Sequence, residues 1–176
     1  WSTDLQFVNV TKVESEYFQS LFGKFFVAPS VYSSKDFQTI YQNKKSVARY
    51  DRDELGAGLR LGTFISRIGE VSLGYLLEKV DASLPTALKE EFPEFHETIT
   101  SFTVRSRLDQ LDTFPFPTSG RLLNIDYQMA RKDLGGDLDF HKLSVEYWRY
   151  LTIGQRNTFG VRLRAGTSFK SELRPY

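Results

Sequence analysis

Gly160-Val161-Arg162-Leu163-Arg164-Ala165-Gly166-Thr167-Ser168-Phe169-Lys170 alternates residue by residue. Val161, Leu163, Ala165, Thr167 and Phe169 fall on one side, and Arg162, Arg164, Gly166, Ser168 and Lys170 on the other. Period two is the signature of a strand, whose successive side chains point to opposite faces of a sheet, here one apolar and one cationic. Working back, Leu143, Val145, Tyr147, Leu151 and Ile153 alternate with Ser144, Glu146, Trp148, Tyr150 and Thr152, broken only by Arg149 on the apolar side. Leu123, Ile125, Tyr127 and Met129 alternate with Asn124, Asp126, Gln128 and Ala130. Earlier, Leu55, Ala57, Leu59, Leu61 and Ile65 alternate with Gly56, Gly58, Arg60 and Gly62, and Val71, Leu73, Tyr75 and Leu77 with Glu70, Ser72, Gly74 and Glu78.

Turn signals divide the chain into about eight strands, over 5–21, 24–41, 46–65, 69–82, 95–112, 120–132, 138–153 and 158–172. Only Thr86 to Glu91 looks briefly helical, and Pro85 and Pro93 bracket it. Connections are tight at Phe22-Gly23-Lys24, Ser66-Arg67-Ile68-Gly69 and Gly154-Gln155-Arg156-Asn157, and more polar or longer at Gln42 to Lys45, Ser83 to Glu94 and Asp133 to Asp137. That alternation fits a meander with two chemically different ends, as in outer-membrane barrels with short periplasmic turns and longer outer loops. Several segments exceed the 9–11 or so residues that a tilted strand needs to cross a bilayer. No stretch reaches the roughly 18–20 apolar residues of a spanning helix.

Composition narrows the function. At 176 residues the chain suits one domain or part of one. Lys plus Arg is 23 and Asp plus Glu 22, a net charge of +1, which argues against a surface for nucleic acid. Cysteine is absent, which removes thiol chemistry and thiolate metal sites, and two distant histidines, His96 and His141, argue against a histidine-rich metal centre. The aromatic share is 15%, in a chain of negative mean hydropathy, which favours strands with one apolar and one wet face.

Two architectures share this pattern. In a transmembrane barrel the apolar stripe meets lipid, and Arg60, Asp126, Glu146, Arg162 and Arg164 face a water-filled lumen where their charges stay hydrated. In a soluble sandwich or lipocalin-like ligand-binding barrel the same stripe faces a shared core and the charges face solvent. Arg105 and Arg107 join the first set of lumen candidates, with plain hydration the simpler role. Tyr75, Tyr127, Phe140, Tyr147 and Trp148 are candidates for interfacial girdles, with an inward alternative for Trp148.

The sharpest local motif is Leu111-Asp112-Thr113-Phe114-Pro115-Phe116-Pro117-Thr118-Ser119-Gly120. Pro115 and Pro117 remove backbone donors and fix φ, and Gly120 opens a conformation closed to other residues, so Asp112, Pro115, Pro117, Thr118 and Gly120 read as a stiff reversal. This Asp, then Pro-Thr-x-Gly, then strand arrangement resembles the BamA-like and TamA-like superfamily of outer-membrane insertases and translocators, the bacterial surface antigen family. The strand with Glu146-Tyr147, the tight turn and Gly160 to Gly166 continue the likeness. Phe25-Phe26-Val27-Ala28-Pro29 and the glycine-rich Gly56 to Gly74 look especially like barrels attached to bacterial patatin-like phospholipases.

The resemblance implies an all-β antiparallel meander of long strands forming a strongly curved half-barrel, one segment (1–176) of a barrel of about sixteen strands in the outer membrane of a Gram-negative-type bacterium. A section with an Arg-Gly-aromatic loop is expected beyond Tyr176, and soluble repeats or a patatin lipase ahead of Trp1. Expected partners are outer-membrane lipid, client polypeptides, and the remaining barrel strands or a second copy, which the two open sheet edges call for. No cofactor is implied. The lipase motif Gly-x-Ser-x-Gly has no counterpart, since Gly69-Glu70-Val71-Ser72-Leu73-Gly74 has the wrong spacing. Glu14 with Glu16, Glu90 with Glu91, and Asp137 with Asp139 lack a nucleophile or third group, so no enzyme is expected.

Overall fold

A computed structural model describes residues 2–8, 10–42, 45–83, 95–113, 115–154 and 157–169. The alternating segments form β1 (Ser2–Val8), β2 (Val10–Glu16), β3 (Gln19–Leu21), β4 (Phe25–Gln42), β5 (Lys45–Ile65), β6 (Gly69–Ser83), β7 (Phe95–Asp109), β8 (Gly120–Ala130), β9 (Phe140–Ile153) and β10 (Asn157–Phe169). They make a single antiparallel sheet in the order β1-β2-β4-β5-β6-β7-β8-β9-β10, with β3 also on β4. Among the described residues β1 pairs only with β2 and β10 only with β9, so the sheet is open. The brief helical signal at 86–91, with Glu90 and Glu91, lies outside the described residues.

Where a single strand was expected over 5–21, the chain doubles back: β1 and β2 form a hairpin, Val8 opposite Val10. Both of its arms carry alternating patterns, so the reversal between them leaves no break in the period. The gap between β2 and β3 has another cause. Glu16 faces Ser30 and Gln19 faces Val27, one unbroken register on β4, with Tyr17 opposite Pro29. Tyr17 N–H donates to the Pro29 carbonyl at 3.0 Å, and proline has no N–H to return. One missing donor thus splits a continuous strand in two.

Faces follow from register. The stripe of Leu55, Leu59 and Leu61 on β5 continues through Leu73, Tyr75 and Leu77 on β6, Phe102 and Val104 on β7, and across to Val161 and Leu163 on β10. Leu61 is 54% exposed and Leu163 60%, so no second layer covers this face among the described residues. Opposite them, Phe26 and Ala28 are 1% exposed and Ser72 3%. A single-layer sheet can bury only the side chains it curls toward, so the polar face is concave and the apolar face convex. The stripe that a soluble barrel would need as its core is the face left bare.

The meander sends the connections at residues 22–24, 66–68, 110–119 and 154–156 to one end of the sheet, and those after β1, β4, β6 and β8 to the other. Residues 110–119 are thus the one long connection at the tight-turn end. At the other end, the Gln42 to Lys45 connection is polar but short, because Gln42 pairs directly with Lys45. The β8–β9 connection continues the ladder onto β7: Arg131 N–H donates to Thr100 O at 3.2 Å and Asp137 N–H to Thr98 O at 2.7 Å. It tucks Leu138 against Ala130, Phe140 and Ile99.

Candidate functional site

The connection between β7 and β8 is organised by one carboxylate. Asp112 Oδ1 accepts the backbone N–H groups of Thr118 at 2.9 Å and Thr113 at 3.0 Å, and Oδ2 accepts the Thr118 hydroxyl at 2.5 Å. Asp112 N–H donates to Ser119 O at 3.2 Å, and the Thr113 hydroxyl to Phe116 O at 2.9 Å. Pro115 and Pro117 ask for no donor's partner, so few bonds suffice to close the loop. Gly120 has φ 105°, and a Cβ there would overlap the Gln110 carbonyl.

The Thr118 hydroxyl, then the Ser119, Thr118 and Thr113 amides, hold the Asp112 carboxyl well below the usual carboxylate range. A carboxyl whose folded pKa lies below its unfolded one stabilises the turn above the ordinary value near 4, and that contribution is lost as pH falls through the depressed value. Thr118→Val is therefore expected to raise the Asp112 titration midpoint, read by carbon-13 NMR of its carboxyl. An unmoved midpoint would contradict the hydroxyl's role.

Register puts Arg60, Asp126, Glu146, Arg162 and Arg164 on the concave face, together with Arg105 and Arg107. All of these but Arg162 are paired with an opposite charge. Arg60, 16% exposed at its side chain, donates from Nη2 to Glu16 at 3.0 Å and from Nη1 to Glu70 at 3.1 Å, and lies over the Phe26 ring at 5.2 Å. Phe18 and Phe64 flank Phe26, with centroids at 5.0 and 5.2 Å. Arg105 Nε meets Asp126 at 2.6 Å. Glu146 accepts from Arg164 at 2.9 Å and from Asn124 at 3.3 Å. Arg162 stacks on Trp148 at 4.0 Å and donates to the Tyr150 hydroxyl. The face looks cationic on β10 alone because the acid that pairs with Arg164, Glu146, sits on β9.

Two of the girdle candidates go elsewhere. Phe140 and Trp148 both turn to the concave face, Phe140 into the Leu138 cluster and Trp148 under Arg162, because they occupy even positions on β9 while Tyr147 occupies an odd one. Tyr75 and Tyr127 stay convex, Tyr75 against Phe102 and Tyr127 with its hydroxyl 2.6 Å from His141 Nδ1. The acid pairs are structural contacts. Glu14 meets Lys12, Glu16 meets Arg60, Asp137 accepts the Thr98 N–H and Asp139 the Lys132 N–H.

Sequence reading missed the partnership of glycine and aromatic. Phe26 stands opposite Gly62, Tyr32 opposite Gly56 and Tyr150 opposite Gly160. A Cβ at any of these glycines would run into the facing ring. Each ring lies flat across the neighbouring strand, and Tyr32 thereby reaches the Glu78 carboxylate one strand further on. The signal was there as three even-position glycines, but only register says what they face.

Among the described residues no group of three or more His, Asp or Glu could hold a metal ion. No helix among them is long and apolar enough to cross a membrane, which leaves crossing by strands open. The sequence matches the Omp85 superfamily domain over residues 6–176. No curated protein matches it. An open antiparallel meander with a bare apolar face and a wet concave one, matched almost end to end by that family model, makes this chain a member of the Omp85 superfamily, the outer-membrane protein insertion and translocation family.

Proposed function

We propose that the chain is a wall segment of an outer-membrane barrel that inserts or translocates client polypeptides, with lipid against its convex face and water against its concave one. The observation that carries this reading is the bare stripe from Leu55 to Leu163, which water would leave unsatisfied and hydrocarbon would cover. Strands β4 to β7 exceed the bilayer-crossing minimum, at 18, 21, 15 and 15 residues. Arg60, Asp126, Glu146 and Arg164 line the lumen in neutralised sets, with Arg162 beside them held by Trp148 and Tyr150, and together they hydrate the wall. Asp112, Pro115, Pro117, Thr118 and Gly120 stiffen the one long connection at the tight-turn end. The segment is part of a larger barrel, because the outer edges of β1 and β10 need partner strands in a membrane, from the same polypeptide or a second copy. No catalytic group takes part: the work is done by wall and strand edges. The likeness of Phe25 to Pro29 and of Gly56 to Gly74 to patatin-linked barrels supports a branch in which the barrel anchors or exports a lipase. A lipase domain upstream in the same reading frame would establish that branch, and soluble repeats the other.

The orientation is tested by a pair of arginines. Leu73→Arg places a charge in mid-stripe and is expected to cost about 2–4 kcal/mol of stability in vesicles. Ser144→Arg, on the concave face opposite Asp126 and Gly166, is expected to change stability by no more than about 1 kcal/mol. Urea unfolding from vesicles reads both, and equal effects would overturn the assignment of faces.

A further inference from the structure

Among the described residues the convex face carries one opposed pair of like charges without counter-charges, since Asp53 and Asp81, also opposed there, meet Lys35 and His96. Arg121 on β8 stands directly opposite Arg149 on β9, the one place among the described pairings where two cations face each other across a ladder. Elsewhere an opposed pair of charges that includes a cation includes an acid too: Lys35 faces Asp53, Arg105 faces Asp126 and Arg164 faces Glu146. Like charges directly opposite, with Cβ atoms about 5 Å apart, repel and destabilise a sheet. Arg121 gives its Nε–H to Gln110 Oε1 at 2.6 Å, and no described acid neutralises either guanidinium. The acids of the nearby turn are engaged: Asp109 with Arg107 and the Leu111 N–H, Asp112 within its own loop.

The surroundings indicate what would sit there. The row across the sheet reads Gln110, Arg121, Arg149, Val161. The next row toward mid-sheet is wholly apolar: Leu108, Leu123, Tyr147, Leu163. Beyond that come Ser106, Ile125, Val145 and Ala165. Two guanidiniums at the rim of an apolar field, near the tight-turn end, match the two parts of a phospholipid, an anionic phosphate and its acyl chains. Guanidinium forks suit phosphate oxygens geometrically, and long arginine side chains reach toward the headgroup layer.

We propose that Arg121 and Arg149 together bind the phosphate of an anionic phospholipid in the leaflet at the tight-turn end, its acyl chains lying over Leu123, Tyr147 and Leu163. The site rests on the reading that the convex face meets lipid. Binding relieves the repulsion, so the lipid staples β8 to β9.

The test uses the full-length protein carrying this chain, reconstituted in phosphatidylcholine vesicles with trace spin-labelled phosphatidylglycerol or phosphatidylcholine. Electron paramagnetic resonance reads the motionally restricted fraction of each. Wild type is expected to prefer phosphatidylglycerol, by about fivefold per arginine at low salt. R121Q/R149Q is expected to bring the two lipids level, while R121K/R149K keeps a preference. Should the double variant fail to insert, R149Q alone and a salt titration of wild type measure the same preference, which must fall with ionic strength. A wild-type protein that restricts both lipids equally would overturn the site while leaving the lipid-facing reading intact. Loss of the preference to inorganic phosphate as readily as to added phosphatidylglycerol would also overturn it, in favour of a free-anion site. No restricted component for either lipid would overturn the lipid-facing reading itself, and the site with it.

Discussion

Gly120→Ala is expected to destabilise the protein by about 4 kcal/mol, more than any other single methyl group added to this chain. Two effects combine. At φ 105° an alanine is strained, and its Cβ would overlap the Gln110 carbonyl and crowd Leu111 Cα, neither of which is a flexible side-chain tip. Relief requires the backbone to move, and the backbone there is tied: Gln110 N–H donates to Arg121 O at 2.8 Å, and Gly120 pairs with Tyr150 on the far side. The disturbance therefore spreads into β7, β8 and β9 together. Urea unfolding from vesicles, with the loss of heat-modifiable gel mobility as a second readout, measures it. A variant with wild-type midpoint would mean that the connection tolerates another path and that its glycine is incidental.

Gly62→Val sets local preference against register. Valine is a far better strand former than glycine, so propensity alone predicts a gain. The structure predicts a loss of about 3 kcal/mol, because the Phe26 ring occupies the space above Gly62 and must be expelled from a site where it is 1% exposed. Expulsion also removes the surface on which Arg60 rests and loosens its bonds to Glu16 and Glu70. Phe26→Ala in the same chain makes room for the valine, so the double variant is expected to be more stable than the sum of the two single losses. Unfolding midpoints of all four proteins close the cycle. A stabilised Gly62→Val single variant would refute the ring-over-glycine packing.

Periodicity made the two faces legible, since it survives in any one strand read alone: Val161 and Leu163 belong together whichever neighbours they have. Whatever depends on two strands at once was hidden. Phe26 and Gly62 are far apart in sequence, as are Arg60 and Glu16, and a residue's partner is fixed by hairpin lengths that no alternation reveals. The same blindness left Arg164 looking unpaired on β10, its partner Glu146 being one strand away. It also merged β1 with β2, because a tight hairpin between two alternating runs keeps the period. Pro29 worked in the other direction: it interrupts the ladder without changing register, so eight alternating segments and ten assigned strands describe nearly the same meander. The turn motif was legible because Asp112, Pro117, Thr118 and Gly120 act within one short loop.

β4 and β5 outrun their neighbours. β2 leaves β4 at Lys35 and β6 joins β5 only at Asp51, so among the described residues the backbone ladder between those points and the Gln42 to Lys45 connection is two strands wide. An isolated two-stranded ribbon is marginal in water. Amide hydrogens along this one hairpin should therefore exchange on two clocks, slow at Val31 and Leu59, where the sheet is wide, and fast at Gln38 and Tyr50, where the described ladder has narrowed to a pair, so that one hairpin carries two local stabilities.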